Sequence, residues 1–113
     1  MRNERVASLI AREISLIISQ EIRDPRLGMV TITKVAISPD LKDAKIYFTT
    51  LGDGTNDLNI LEGAKGFIRT ALAHRIRIKF IPDLKFILDE SPKYGEKIDK
   101  LLNEIEKGNK SPK

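Results

Sequence analysis

Residues 29–51 read MVTITKVAISPDLKDAKIYFTTL and set the architecture of the chain. The alternation of apolar and polar residues, with many β-branched side chains, predicts two strands at residues 29–38 and 43–51. Pro39 and Asp40 begin the turn between them, and the loop is slightly longer than the tightest hairpin turns allow. The segment therefore predicts a hairpin whose apolar face must be covered by helices.

A long amphipathic segment, residues 3–23, precedes the hairpin and predicts a helix. Asp24 and Pro25 end it, because proline disfavours the helical conformation in the residue before it. The opposite face carries arginines and small hydroxyl residues, which lets phosphates approach closely, although an ordinary solvated face has the same pattern. The apolar stripe comprises Val6, Ala7, Ile10, Ile14, Ile17 and Ile18, and the arginines are Arg5, Arg12 and Arg23.

Two more helices are predicted after the hairpin. Asn56 or Asp57 can cap the first one by accepting hydrogen bonds from its free N–H groups. The sequence GAKG at residues 63–66 interrupts the helical pattern, because glycine destabilises the interior of a helix. From about Gly66 a second helix is expected to turn inward a set of apolar residues, namely Phe67, Ile68, Ala71, Leu72 and Ile76.

The remaining chain predicts one more strand and one more helix. The sequence RIRIKF at residues 75–80 is ambiguous between helix and extended chain, and LKFILD at residues 84–89 predicts a strand. A last helix is expected to begin at Ser91-Pro92 and to end at Gly108, followed by a disordered tail at residues 109–113. We therefore expect a single α+β domain over residues 1–108, with helices packed on a three-stranded sheet.

Positive charge is concentrated in one part of the chain. The net charge is +4. The segment 63–82 contains no acidic residue and carries +5, so the rest of the chain carries −1. Charge gathered in one segment is what a polyanion-binding surface requires, whereas a solvated helix face with acids nearby in space is the alternative. The five cations are Lys65, Arg69, Arg75, Arg77 and Lys79.

The chain lacks the residues that most catalytic mechanisms require. The chain has no cysteine and a single histidine, so disulfides, thiolate metal sites and a thiol nucleophile are excluded. No phosphate-binding glycine loop or dinucleotide fingerprint is present. Asp89 and Glu90 are neighbours at a strand end and point to opposite faces, which argues against a shared site. The few aromatic residues are expected mostly in the core. We therefore predict no catalytic residue, no metal and no cofactor.

Gly63, Ala64, Lys65 and Gly66 form a G-x-x-G pattern between two helices. In KH domains such a loop clamps the backbone of a nucleic acid. The pattern alone is weak, but here it follows a hairpin and precedes a basic helix. The competing interpretation is a helix kink that only helps to pack the chain on the sheet, and both interpretations are compatible.

The sequence resembles the ribosome-binding factor A family over nearly its whole length. The segments that carry the resemblance are IRDPRL at residues 22–27, VAISPDL at 35–41, AKIY at 44–47, AKGFIR at 64–69, RIKFIPDLKF at 77–86 and DES at 89–91. The family generally has an Ala-x-Gly kink in place of the G-x-x-G loop. Ala64, Lys65 and Gly66 fit that kink and favour the bend, whereas Gly63 departs from it.

The resemblance implies a type II KH-like fold. Because no apolar run approaches the length of a membrane span and the N-terminus is charged, we expect a soluble cytoplasmic protein with no membrane association, and a monomer. The resemblance also implies binding to small-subunit rRNA on the free small ribosomal subunit, during late rRNA processing, with the greatest importance in the cold. Release by a maturation GTPase or an initiation factor is part of the same expectation. The predicted RNA-binding residues are Arg5, Arg12, Arg23, Lys65, Arg69, Arg75, Arg77 and Lys79.

Three rival functions have their own expectations. A generic KH module would bind short single-stranded RNA, a protein-interaction adaptor would retain no RNA, and an RNA-processing enzyme would turn over precursor rRNA. For the favoured function, Arg69→Glu with Arg77→Glu is expected to abolish subunit binding with little change in unfolding temperature. Phe67→Ala is expected to cost about 3–5 kcal/mol if the ring is buried.

Overall fold

The computed structural model describes residues 2–90, and the predicted last helix and tail lie outside these residues. Six elements follow one another: α1 (Arg2–Gln20), β1 (Val30–Ile37), β2 (Asp43–Thr50), α2 (Gly54–Gly63), α3 (Lys65–Arg75) and β3 (Asp83–Leu88). The predicted order of helix, two strands, two helices with a kink between them, and strand is confirmed. The predicted α+β, KH-like architecture is confirmed with it.

Strand β2 lies in the centre of a three-stranded mixed sheet with the order β1-β2-β3. It pairs antiparallel with β1 through the hairpin and parallel with β3. A parallel pair needs a crossover connection, and α2 and α3 supply it. The buried side chains of β2 alternate with exposed or half-buried ones, so the described helices cover one face of the sheet.

The core lies between that face and the three helices. It is assembled from one apolar stripe of each helix, which confirms the stripe predicted for α1, and from alternate strand residues. Each fully buried aliphatic or aromatic side chain contributes about 1.5–3 kcal/mol relative to an exposed one. The core residues are Ile10, Ile14, Ile17, Ile18, Ala44, Ile46, Phe48, Leu61, Ile68, Leu72, Ile76, Leu84 and Phe86.

A β-bulge at Thr33 changes which face the second half of β1 presents. Ile32 is the partner of Phe48, but Lys34, two residues later, is the partner of Tyr47. One extra residue in a strand reverses the alternation that follows it. Lys34 is therefore turned to the side of the sheet away from the helices.

The N-cap of α2 differs from the prediction. Asp53 is the cap, and its carboxylate accepts hydrogen bonds from the backbone N–H groups of Thr55 (3.0 Å) and Asn56 (3.2 Å). The helix begins at Gly54, so Asn56 and Asp57 already lie in its first turn. Asp57 is completely buried and serves another purpose, described below.

Two phenylalanines of the described residues are exposed and lie outside the core. Phe67 is 51% exposed and Phe80 is 72% exposed. In α3 the inward stripe is formed by Ile68 and Leu72, and Phe67 precedes this stripe by about 100° around the helix. The expectation that Phe67 points inward is therefore wrong, and the large cost expected for Phe67→Ala does not apply.

Candidate nucleic-acid interface

The eight cations predicted to bind RNA fall into two groups. Four of them, Arg12, Lys65, Arg69 and Arg75, form ion pairs with carboxylates of the chain, with nitrogen–oxygen distances between 2.5 and 3.8 Å. Arg12 lies 3.8 Å from Glu13, and Lys65 lies 2.5 Å from Glu62. Both are contacts between groups close together on the helices, and exposed pairs of this kind contribute at most about 1 kcal/mol.

Arg69 holds the connection between α3 and β3. Its guanidinium donates hydrogen bonds to the carbonyl oxygens of Ile81 (3.0 Å) and Pro82 (3.2 Å) and lies 3.6 Å from Asp83. These bonds satisfy backbone acceptors in a loop that has no regular structure. Removing this side chain would therefore loosen the loop, which changes the expectation that substitution of Arg69 leaves unfolding unaffected.

Arg75 joins the end of α3 to α1. Its guanidinium donates hydrogen bonds to Glu21 (2.9 Å), Glu13 (3.4 Å) and Gln20 (3.5 Å). The hydrogen bonds to Glu21, and then to Glu13, raise the pKa of Arg75, while partial desolvation opposes the rise. Two carboxylates thus offset much of the charge that Arg75 would offer to a phosphate.

The other four predicted cations are exposed, and none forms an ion pair with another described residue. They are Arg5 on α1, Arg23 after α1, and Arg77 and Lys79 in the loop between α3 and β3. The ammonium of Lys79 lies 5.5 Å from the centre of the exposed Phe80 ring. A free cation beside an exposed ring can contact both a phosphate and a base.

The kink between α2 and α3 is centred on Ala64. Its backbone angles are φ −92° and ψ 3°, and its N–H donates to the carbonyl oxygens of Ile60 (3.0 Å) and Leu61 (3.2 Å). Neither Gly63 nor Gly66 has a positive φ, and a Cβ built on either of them meets no atom within 4 Å. Within residues 2–90, therefore, the fold does not itself require either glycine.

The loop between α1 and β1 is clamped against the start of α2. The buried Asp57 carboxylate accepts hydrogen bonds from the N–H of Gly28 (3.0 Å) and the hydroxyl of Thr50 (2.5 Å). The side chain of Asn56 donates to the carbonyl oxygen of Arg26 at 3.0 Å. Sequence reasoning missed this clamp, because residues 28 and 57 are far apart in the sequence.

An ion pair also stiffens this loop. Arg26 donates two side-chain hydrogen bonds to Asp24, at 2.8 and 3.1 Å, and its backbone N–H donates a third at 2.9 Å. The side-chain bonds, followed by the backbone bond, lower the pKa of Asp24 to about 2. The loop that presents Arg23 therefore has a defined shape beside the helical layer.

Sequence reasoning also missed three lysines on the strands. Lys34, Lys45 and Lys85 are exposed on the face of the sheet away from the helices. We call this surface the outer sheet face; it comprises these lysines with Tyr47 and Ile87. Strand alternation was the signal for two of them, since Lys45 and Lys85 each lie between two buried residues.

Neither a metal nor a membrane is indicated within residues 2–90. No group of three carboxylate or histidine side chains in that range is arranged to hold a metal ion. None of its helices is long and apolar enough to cross a bilayer.

Comparison with known proteins connects this arrangement to one family. The model of the family described as ribosome-binding factor A matches residues 2–102. A ribosome-binding factor A from Legionella pneumophila (strain Lens) is 47% identical over 106 residues, which cover 92% of this chain and 86% of that protein.

Two structures of a Thermus thermophilus protein share the fold. The crystal structure of ribosome-binding factor A from this organism is 26% identical and superposes with a TM-score of 0.74, covering 79% of this chain and 97% of that one. A homology model of the Thermus thermophilus factor, fitted into the cryo-electron-microscopy map of its 30S complex, is 27% identical, with a TM-score of 0.66, and covers 74% and 91% of the two chains.

Proposed function

Because the chain belongs to the ribosome-binding factor A family, we propose that it binds the free small ribosomal subunit and assists late maturation and processing of small-subunit rRNA. The match of the family model over residues 2–102 is the observation that carries this proposal. The Thermus thermophilus relative fitted into a 30S complex supports the small subunit as the partner.

The protein acts by binding and not by catalysis. Phosphate contacts set its orientation and affinity, and the shape of the folded rRNA supplies the specificity. The bound domain holds an immature rRNA conformation until maturation is complete, and a maturation GTPase or an initiation factor then releases it. It works as a monomer in the cytoplasm and matters most in the cold.

The eight predicted cations contribute unequally to this binding. Arg5, Arg23, Arg77 and Lys79 are exposed and form no ion pair within the described part of the chain, so they neutralise phosphates directly. Arg69 and Arg75 act mainly by holding the loop and the two helices that present their neighbours. Arg12 and Lys65 exchange their intramolecular partners for phosphates at small cost, since exposed pairs are weak.

Cosedimentation tests the proposal. The purified chain is centrifuged with small subunits, large subunits and whole ribosomes at two salt concentrations. We expect association with free small subunits alone, weakening as salt rises, because released counterions drive phosphate binding. Association with no particle would contradict the proposal, and turnover of precursor rRNA by the pure protein would contradict the non-catalytic mechanism.

Arg77→Glu with Lys79→Glu is the sharpest charge variant. It reverses two exposed charges that form no ion pair with another described residue, so we expect loss of subunit binding with little change in the unfolding midpoint. Arg69→Glu is a poorer probe, because it also removes the hydrogen bonds to Ile81 and Pro82. Retention of binding by the double variant would mean that another face meets the subunit.

The exposed rings of Phe67 and Phe80 favour a second candidate, a KH-type protein that binds single-stranded RNA. Bases stack on exposed aromatic rings with little dependence on sequence. Titration with short single-stranded RNAs separates the two functions. Affinity for these RNAs equal to that for the small subunit would favour this candidate.

A further inference from the structure

The outer sheet face carries three lysines in two neighbouring rows, one from each strand. Lys45 of β2 and Lys85 of β3 are direct partners in the parallel register, and Lys34 of β1 is the partner of Tyr47. All three lysines are exposed. The bulge at Thr33 is what turns Lys34 to this face, so the cluster depends on a specific irregularity of the sheet.

This arrangement does not stabilise the domain. Neighbouring strands lie about 4.8 Å apart, and like charges directly opposite each other destabilise a sheet. In the described part of the chain, no carboxylate lies within 4.0 Å of the ammonium groups of Lys34, Lys45 or Lys85. Their repulsion would be relieved by a polyanion bound across the strands.

Tyr47 lies opposite Lys34 on the outer sheet face, one row away from Lys45 and Lys85. Its ring is half-buried, and the ammonium of Lys34 lies 5.8 Å from its centre. An aromatic ring beside cations is the combination that single-stranded nucleic acids use, with bases on the ring and phosphates on the cations. It therefore favours RNA over an acidic protein as the occupant.

Acidic groups border the cluster at both ends. Asp43 and Asp83 form the next row of the same face, and Asp83 lies 3.6 Å from Arg69. At the other end, Asp89 accepts a hydrogen bond from the Thr33 hydroxyl at 2.9 Å. These carboxylates confine a polyanion to the lysine rows, so the site takes a segment of a few nucleotides.

We propose that the outer sheet face binds a second segment of the small-subunit rRNA. This inference rests on the proposed function and extends it. The helices cover one face of the sheet and carry Arg5, whereas the lysine cluster lies on the other face. The domain is thereby held between two RNA segments, and its position on the subunit is fixed from both sides.

The salt dependence of small-subunit binding by the full chain tests this site. For Lys45→Gln with Lys85→Gln, we expect weaker binding and a slope of log K against log salt that is shallower by about 1.4–1.8, for two lost phosphate contacts. The unfolding midpoint should stay equal or rise, because like-charge repulsion is removed. A purely structural role of these lysines would lower the midpoint instead.

Two matched variants complete the experiment. Lys42→Gln removes one charge from an exposed lysine in the hairpin turn, outside the outer sheet face, and should leave the slope unchanged. Lys45→Arg with Lys85→Arg keeps both charges and should retain binding. An unchanged slope for the glutamine variant overturns this inference alone, whereas failure of the unaltered chain to bind overturns it together with the proposed function.

Cross-linking identifies the occupant. A photoreactive benzoylphenylalanine replaces Lys45 in one preparation and Arg77 in another, and each is irradiated on the small subunit. We expect cross-links from the two positions to separate rRNA segments. Cross-links from position 45 to a ribosomal protein only, to the same segment as position 77, or to no partner would each overturn the inference.

Discussion

The start of helix α2 is held by side-chain hydrogen bonds to other parts of the chain, whereas its end, at the kink before α3, is loosely packed. At its start, Asp53 caps the helix, Asn56 holds the Arg26 carbonyl, and Asp57 holds both Gly28 and Thr50. At its end, the kink is formed by Ala64, and only backbone hydrogen bonds and the weak surface ion pair between Glu62 and Lys65 carry the chain into α3.

The glycines of the two regions differ in the same way. A Cβ added to Gly28 would lie 2.9 Å from the Asp57 carboxylate and 2.9 Å from the Thr50 hydroxyl. A Cβ added to Gly63 or Gly66 would meet nothing within 4 Å. Close packing therefore requires the first glycine, whereas nothing in the described fold requires the other two. Glycine in a helical segment is thus not evidence of crowding.

Asp57→Ala should have the largest effect. It leaves the N–H of Gly28 and the hydroxyl of Thr50 without their acceptor in a buried place, which we expect to cost about 2–4 kcal/mol of unfolding free energy. Urea denaturation of the variant and the unaltered chain measures the difference. Asp57→Asn is the matched control: its amide can accept from Gly28 and donate to Thr50, so its loss should be much smaller. Equal losses would mean that the clamp depends on the negative charge.

Gly28→Ala should come next. The added methyl group meets the Asp57 and Thr50 oxygens and the backbone of Gly52 at 3.1 Å, so the clamp must open to admit it. Overpacking of this kind costs about 1–3 kcal/mol. Thermal unfolding followed by circular dichroism measures the shift. A variant as stable as the unaltered chain would show that the loop yields without cost and would remove the contrast with the kink.

Gly63→Ala with Gly66→Ala should have the smallest effect and the opposite sign. Alanine stabilises an interior helical position by about 0.5–1 kcal/mol relative to glycine, and Gly63 and Gly66 lie at helix ends with space for a methyl group, so each change should contribute less than this. The same thermal unfolding experiment should therefore show a higher midpoint. We also expect the affinity for the small subunit to be unchanged, because a kink that only bends the chain does not contact RNA. A loss of affinity in the more stable variant would instead indicate that an RNA backbone packs against the glycines.

Local patterns were sufficient to predict most of the fold. Each strand begins and ends within one residue of its predicted bounds, because alternation is a property of neighbouring residues. Helix α1 ends at Gln20 and not near Arg23, since the chain turns before the proline is reached. Phe67 was placed wrongly because, near the start of a short helix, an apolar residue beside the inward stripe cannot be distinguished by period alone.

The candidate interface was predictable only in part. The basic residues were visible in the sequence, but Arg75 meets Glu21, 54 positions away, and Arg69 meets carbonyl groups 12 and 13 positions away. No periodic pattern predicts such pairs. The position of Lys34 on the outer sheet face could not be predicted either, because its side of the sheet depends on the bulge at Thr33.

The sequence by itself determined the order of the elements, the family and the total charge, since each of these depends on residue identity and on spacing between near neighbours. Only the tertiary structure decided which cations are free, which face of the sheet carries lysines and what Asp57 does. Burial, ion pairing and hydrogen bonding act over a few ångströms in space. Residues far apart in the sequence acquire these interactions only when the chain has folded.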